Sequence, residues 1–403
     1  MKRIIICFTL ILVPFVLFSS EKRGDHSEEK EPLCFLRVLK DSIFTFDHIK
    51  TSLFRVYPAL DTEDLDKLIR IVSFLDTTTN ALSTAIAYKT IDPRGDTITA
   101  SGIIMRPEGR ESKGLLFFFP SAKIDKATAA SEMMLTFEGF LSYFGYTVIV
   151  PDLIGYGISS NTEYPFLFAE NTGRVAYDMY VASEEYLSAA GITIPKDMTI
   201  GGYSMGGMGT VALHRFIEEN DTTGLIVNAS YPAGGVYDLG MALDVLTTIK
   251  HCNFPFVPYM CISMDYWYNL GVDYSQVFID PLLSNMDDWL ARKYLPDELR
   301  KRIPSDMTAY LHPDFFTDIK NESVRKIDSC SRFHSVIEGW VPKAPMIILH
   351  SVDDDMAPYR VAEHMFKTFL NKGGNVTLIS GKLDHMTYGI EYYLKIIFYH
   401  ILK

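Results

Sequence analysis

The chain is short of positive charge, with 38 Lys and Arg against 50 Asp and Glu in 403 residues and a formal net charge of −12. No basic stripe stands out, which argues against nucleic acid as a partner. Cysteine is also sparse, five in all, and neither C-x-x-C nor H-E-x-x-H occurs. A built-in metal site is therefore not expected, and the reaction read from the motifs below needs no cofactor. The apolar run Ile4–Phe18 is too short for a comfortable membrane span and is broken by Pro14. What the chain does have is apolar material, 48% of its residues, enough for one large domain with an insertion or for two domains.

Lys2 and Arg3 precede that apolar run and Ser19-Ser20 follow it, the layout of a secretory signal over residues 1–20. The expected location of the mature protein is secreted or periplasmic, with no stable membrane span once the signal is cut. Residues 21–60 read as a charged leader and lead-in, opening with EKRGDHSEEKE. Four cysteines remain beyond the signal: Cys34, Cys252, Cys261 and Cys330. Oxidation is open to an exported chain, and the close pair Cys252 and Cys261 is the first candidate for a disulfide. Free buried thiols are the equal alternative, and sequence does not fix connectivity.

Asp61–Leu75 has helical periodicity. Two strand-like runs, STAIAYKTI and TITASGIIM, flank the turn DPRGD. From Gly114 the pattern becomes short apolar runs alternating with helical stretches. GLLFFFP is followed by a helix through Met133 and Phe140, and YTVIVPD by a helix over Val175–Leu187. MTIGG then precedes the helical VALHRFIEE, and GLIVNAS closes the series. This is the signature of a mostly parallel sheet covered on both faces. The alternation stops near Val236 and resumes with APMIILH, YRVAEHMFKTFL, NVTLIS and a final helix. The expected organisation is a first core part over 61–236, an inserted, mostly helical cap over 237–340, and a second core part over 341–403.

Gly202-Tyr203-Ser204-Met205-Gly206 fits G-x-S-x-G at a strand-to-helix junction. A sharp turn there lifts a serine oxygen off the sheet, and the small flanking residues let strand and helix approach. A serine hydroxyl is a weak nucleophile that needs a base, and the base needs an orienting acid. The two strand ends beyond the insertion carry HSVDDDMAP and then GKLDHMTYG, acids followed by a histidine, the chain order this type of site requires. Asp353, Asp354 and Asp355 all compete for the acid, while His385 is the natural base. His214, His350, His364 and His400 fit worse by position.

These features together resemble the α/β-hydrolases, and within them the secretory-lipase-like and bacterial esterases. The segments that carry the resemblance are VIVPDLIGYGIS, YPAGGVYDLG, PDFFTDI, WVPKAPMIILHSVDDDMAP and LDHMTYG, from about Thr84 to the C-terminus. The resemblance implies an α/β-hydrolase fold with a helical cap. It makes Ser204 the nucleophile, His385 the general base and, with His350 and Pro358 fixing the frame, Asp354 the acid. An oxyanion hole would use the N–H of Met205 and one from the loop after GLLFFF, with Ala122 first and Ser121 next. Two positions depart from the pattern: Pro120-Ser121-Ala122 stands where His-Gly is expected, and Ser351 replaces a glycine. The implied activity is carboxylic-ester hydrolysis through an acyl-enzyme on Ser204. Its expected partner is a small-molecule ester or an acylated sugar or lipid. A peptidase, amidase or acyltransferase of the same fold, and a non-catalytic binding protein on this scaffold, remain open. Phe254, Phe256, Tyr259, Tyr266, Trp267 and Tyr268 are candidates to line an acyl pocket, though each taken singly reads as core of the insertion. Oligomeric state is undetermined.

Overall fold

The computed structural model describes residues 34–45, 48, 80–122 and 125–401. The expected signal sequence, most of the expected leader and the helix expected over Asp61–Leu75 lie outside the described residues. Among the described residues there are nine strands, β1 (Phe35–Phe44), β2 (Ala81–Ile91), β3 (Thr97–Pro107), β4 (Leu115–Phe119), β5 (Thr147–Pro151), β6 (Asp197–Tyr203), β7 (Ile226–Ala233), β8 (Met346–Ser351) and β9 (Val376–Gly381). They form a single sheet in the order β1-β2-β3-β5-β4-β6-β7-β8-β9. The first three are antiparallel, and β3 also meets β5 antiparallel; every pairing from β5 to β9 is parallel.

Alternate residues of the central strands feed two cores. Leu115, Phe117 and Phe119 of β4 pack on one face with Ile149 of β5. Leu116 and Phe118, with Val148 and Val150, pack on the other. All of them are buried, and each such side chain contributes about 1.5–3 kcal/mol by leaving water. Covering both faces makes these strands continuous apolar runs rather than alternating ones. β1 falls in the stretch read as lead-in. Its charged residues Arg37, Lys40 and Asp41 point to solvent along a sheet edge, where charge is normal and the pattern that betrays a buried strand is missing.

The α-helices are α1 (Ala130–Met133), α2 (Ala169–Ala189), α3 (Met205–Asn220), α4 (Leu239–Ile249), α5 (Phe256–Tyr268), α6 (Leu282–Trp289), α7 (Pro296–Arg300), α8 (Glu322–Ser331), α9 (Tyr359–Asn371) and α10 (His385–Ile401). The helix expected through Met133 and Phe140 is broken. Met134 takes a left-handed conformation (φ 63°), and a 3₁₀ segment, Glu138–Phe144, starts where the Thr136 hydroxyl accepts the Gly139 N–H. Every residue of that segment is buried, so packing on the sheet overrides the helical periodicity. Helices α4 to α8 fall between β7 and β8. Between those two strands the described residues contain isolated bridges but no strand. Cys34, Cys252, Cys261 and Cys330 are all free thiols, which corrects the pairing considered for Cys252 and Cys261. Burial pushes the Cys252 thiol up to about 12. Among the described residues no helix is long and apolar enough to cross a membrane, and no cluster of His, Cys, Asp and Glu could hold a metal.

Candidate active site

Ser204 sits between β6, at the middle of the sheet, and α3. Its φ of 59° and ψ of −121° are strained for a residue with a Cβ. The turn closes so tightly that a Cβ on Gly202 would stand 2.3 Å from the carbonyl oxygen of Gly206. One on Gly206 would stand 2.7 Å from that of Phe119. Both glycines of the motif are therefore required by close backbone approach. The Ser204 N–H donates to the Ala233 carbonyl of β7 at 2.8 Å, which locks the turn to the neighbouring strand.

The other groups come from loops that follow the next parallel strands, so the sheet delivers them to the same end. Asp354 follows β8. His385, the first residue of α10, follows β9. His385 Nε2 lies 2.9 Å from Ser204 Oγ, and its Nδ1 lies 2.7 Å from Asp354 Oδ2. A carboxylate only accepts, so the proton sits on Nδ1 and Nε2 is left to accept from the serine hydroxyl. The imidazole side chain is 4% exposed and that of Asp354 is fully buried.

Asp354 is held from its other side as well. Its Oδ1 accepts the N–H groups of Met356 (3.0 Å) and Ala357 (2.7 Å). Burial alone would raise its pKa, but His385, His350 and the Ala357 N–H outweigh burial and hold the carboxyl below the ordinary value. His350, fully buried, gives its Nε2 proton to the Ala357 carbonyl at 3.0 Å and lies 3.5 Å from Asp354. Burial pushes its own pKa down, against the pull of Asp354.

The remaining two aspartates divide. Asp353 makes a backbone bond, its N–H donating to Ser351 Oγ at 3.3 Å. Asp355 has a larger part: Oδ1 accepts the backbone N–H of His385 at 3.0 Å, while Oδ2 accepts from Asn253 Nδ2. It thus links the segment before α5 to the residue that carries the imidazole. A D-D-D run gives no sign of which carboxylate faces which loop, and no local pattern marks Asn253. Tyr203 is a further support, its hydroxyl donating to the His385 carbonyl at 2.6 Å.

The departure at Ser351 has a structural account. Its Oγ donates to the Leu383 carbonyl at 2.5 Å and accepts the Leu383 N–H at 2.9 Å. A glycine there could not bridge the β8 and β9 loops. At the oxyanion side, Met205 begins α3, so its N–H has no intrahelical acceptor. Ala122 is half-buried in the loop after β4, whose start lies against the first turn of α3.

A second serine–histidine–carboxylate set is formed by His214 and Glu218 of α3 with Ser230 of β7. His214 Nδ1 is 2.8 Å from Ser230 Oγ and its Nε2 is 3.0 Å from Glu218 Oε1. Ser230 and His214 are both wholly buried, so no substrate reaches them. Glu218 also accepts from Trp340 Nε1 and from the N–H groups of Lys343 and Ala344. This set fastens the return into β8.

The aromatic candidates separate into two groups. Phe254, Phe256 and Tyr259 all pack on Phe166, which meets Tyr164, and Tyr164 contacts the Met205 side chain. Tyr266 and Trp267 instead flank Arg94. Tyr268 stacks with Phe168 and lines a cavity of about 620 Å³ shared with Phe333 and His334, away from Ser204.

The sheet order, the two helical layers and the strand–turn–helix at Ser204 make this an α/β-hydrolase fold, and solved structures agree. A Legionella pneumophila protein described as a candidate hydrolase superposes with a TM-score of 0.75 at 19% identity, covering 90% of this chain and 96% of its own. The rice cell wall degrading esterase LipA from Xanthomonas oryzae gives 0.73 at 20% identity, covering 91% and 96%. Candida antarctica lipase A in its closed state gives 0.54 at 14% identity, covering 88% and 79%. No protein-family model matches the chain, and no curated protein does.

Proposed function

We propose that this protein is a serine hydrolase of carboxylic esters that works outside the cytoplasm. The observation that carries the reading is the unbroken line from Ser204 Oγ through His385 (2.9 Å) to Asp354 (2.7 Å), hung on a strained turn at the start of a helix. Ser204 attacks the ester carbonyl as His385 takes its proton. The resulting oxyanion is met by the N–H of Met205 and a donor from the Ser121–Ala122 loop. His385 then protonates the departing alcohol, and a water activated by the same imidazole releases the acid from the acyl-enzyme. Asp354 keeps the imidazole in the accepting tautomer and stabilises its cation. Residues 237–340 form a cap, and Phe166, Phe254, Phe256 and Tyr259 supply its apolar wall, suited to an acyl chain. The fold's likeness to an esterase and a lipase supports the ester as substrate, and the N-terminal apolar run supports export.

The test is covalent labelling by a fluorophosphonate, with Ser204→Ala as control, beside hydrolysis of p-nitrophenyl esters from acetate to long chains. Labelling of the wild type alone, together with ester turnover, is the expected result. An unlabelled wild type that leaves every ester intact refutes the reading.

A further inference from the structure

The sequence motif Pro151-Asp152, Gly155, Gly157, Ser159 takes no part in the line from Ser204 to Asp354, yet its loop is heavily braced. Asp152 is 2% exposed and accepts from Ser101 Oγ at 2.7 Å and from the Ser131 N–H at 3.3 Å. Ser159 Oγ accepts the Gly155 N–H at 3.1 Å and donates to the Tyr156 carbonyl at 2.9 Å. What this loop receives is a cation from the helical segment between β7 and β8. Arg292, between α6 and α7, is 5% exposed and has a left-handed backbone (φ 57°). Its Nη1 donates to the Gly155 carbonyl at 3.0 Å and its Nη2 to the Thr162 carbonyl at 3.2 Å. The Glu163 carboxylate is 4.0 Å away.

The guanidinium also lies 5.2 Å from the ring centre of Tyr156 and 5.9 Å from that of Tyr164. The Arg292 carbonyl accepts the Lys126 N–H at 3.2 Å, and Lys126 Nζ donates to the Ser160 carbonyl. The side chain thus pins both ends of the loop, and the backbone carbonyl of the same residue holds the segment that follows β4. Gly155 (φ 91°) belongs to this seat: a Cβ there would stand 2.8 Å from Arg292 Nη1 and 2.9 Å from Tyr164 Cα.

The seat ends at the candidate active site. Tyr164, 4% exposed, directs its hydroxyl onto Met205 Sδ, and its carbonyl accepts from Ser263 Oγ of α5 at 2.8 Å. Met205 is the residue after Ser204. A buried cation is costly unless it is fully bonded, and an apolar side chain would fill the space without that cost. A planar fork, by contrast, fixes two carbonyls in one geometry. We propose that Arg292 is a positioning residue: through Gly155, Thr162 and Tyr164 it fixes Met205, and with it the N–H beside Ser204, to the inserted helical segment. The proposal rests on the serine-hydrolase reading and adds that the segment over 237–340 is part of the oxyanion site's support.

The experiment compares full-length wild type, Arg292→Met, Arg292→Lys and Tyr164→Phe. The fluorophosphonate counts competent sites, and kcat per labelled site and KM are measured on a short-chain p-nitrophenyl ester. Misplacing a donor by a fraction of an ångström costs on the order of tenfold in turnover. Arg292→Met should lose about that in kcat per labelled site with KM changed by less than about twofold, Arg292→Lys should be intermediate, and Tyr164→Phe should lose a few-fold. A purely structural role would lower the labelled fraction and leave kcat per labelled site at the wild-type value, which overturns the proposal. If Arg292→Met does not fold, Tyr164→Phe decides by the same criterion. An unlabelled, inactive wild type defeats the hydrolase reading and this proposal with it, whereas a labelled wild type with unaffected variants defeats this proposal alone.

Discussion

Replacing Asp354 by Asn separates the three neighbouring aspartates. In the native protein Oδ1 takes the N–H groups of Met356 and Ala357, and Oδ2 takes the His385 Nδ1 proton. The amide oxygen of Asn keeps the two backbone bonds, so the fold survives and the NH₂ group is turned toward Nδ1. Two donors cannot face each other, so the imidazole must move its proton to Nε2. There it donates to Ser204 and can no longer accept. The wrong tautomer costs on the order of 10⁴ in kcat, about 5.4 kcal/mol of barrier. Asp355→Asn leaves the tautomer alone and loosens only the His385 backbone and the Asn253 link, a loss on the order of tenfold. Asp353→Asn changes turnover little, because its bond to Ser351 Oγ is made by the backbone N–H. The assay is hydrolysis of p-nitrophenyl butyrate, normalised to phosphonate-labelled sites. A fall of 10³ or more in Asp355→Asn, with Asp354→Asn within tenfold of wild type, refutes the assignment of the acid.

Ser351→Gly removes both hydrogen bonds to Leu383 and should lower the unfolding free energy by about 2 kcal/mol, read as a lower urea midpoint at unchanged slope; an unaltered midpoint contradicts the clip. Ser230→Ala should leave kcat unchanged, since the buried serine–histidine–glutamate set does no chemistry; a large drop in kcat per labelled site would count against that. For Glu218, burial raises the pKa but His214 and the N–H groups of Ala344 and Lys343 prevail, and the folded value is lowered. Its contribution to stability is therefore present above the ordinary glutamate pKa and is lost as pH falls through the lowered value. Glu218→Gln should be about 2 kcal/mol less stable at pH 7, with the gap to wild type closing in acid. A gap that is constant with pH contradicts the linkage.

Much of the fold was legible in the chain because a strand buried on both faces has to be apolar throughout. LLFFF and TVIVP could be read for that reason, whereas FLRVLKDSIF, a charged edge strand, could not. The broken stretch after Met133 was misread because its residues are buried on every side, and periodicity carries no information where no face meets water. At the candidate site, G-x-S-x-G and the order of acid and histidine were visible because each is forced by a local turn. The bracing roles of Asp355 and Ser351 were not, because their partners, Asn253 and Leu383, come from other loops.

The sequence by itself determined the alternation of strands and helices, the tight turn at Ser204 and the chemical types on the loops after β8 and β9. Backbone sterics and hydrophobic periodicity act over a few residues and leave their mark locally. The tertiary structure alone decided that one of two serine–histidine–carboxylate sets is sealed from solvent and that Asp355 takes the backbone N–H of His385. It also decided that a buried arginine from between α6 and α7 reaches across to the carbonyls of Gly155 and Thr162. Accessibility and long-range hydrogen bonds depend on segments far apart in the chain, and no local pattern encodes where those segments meet.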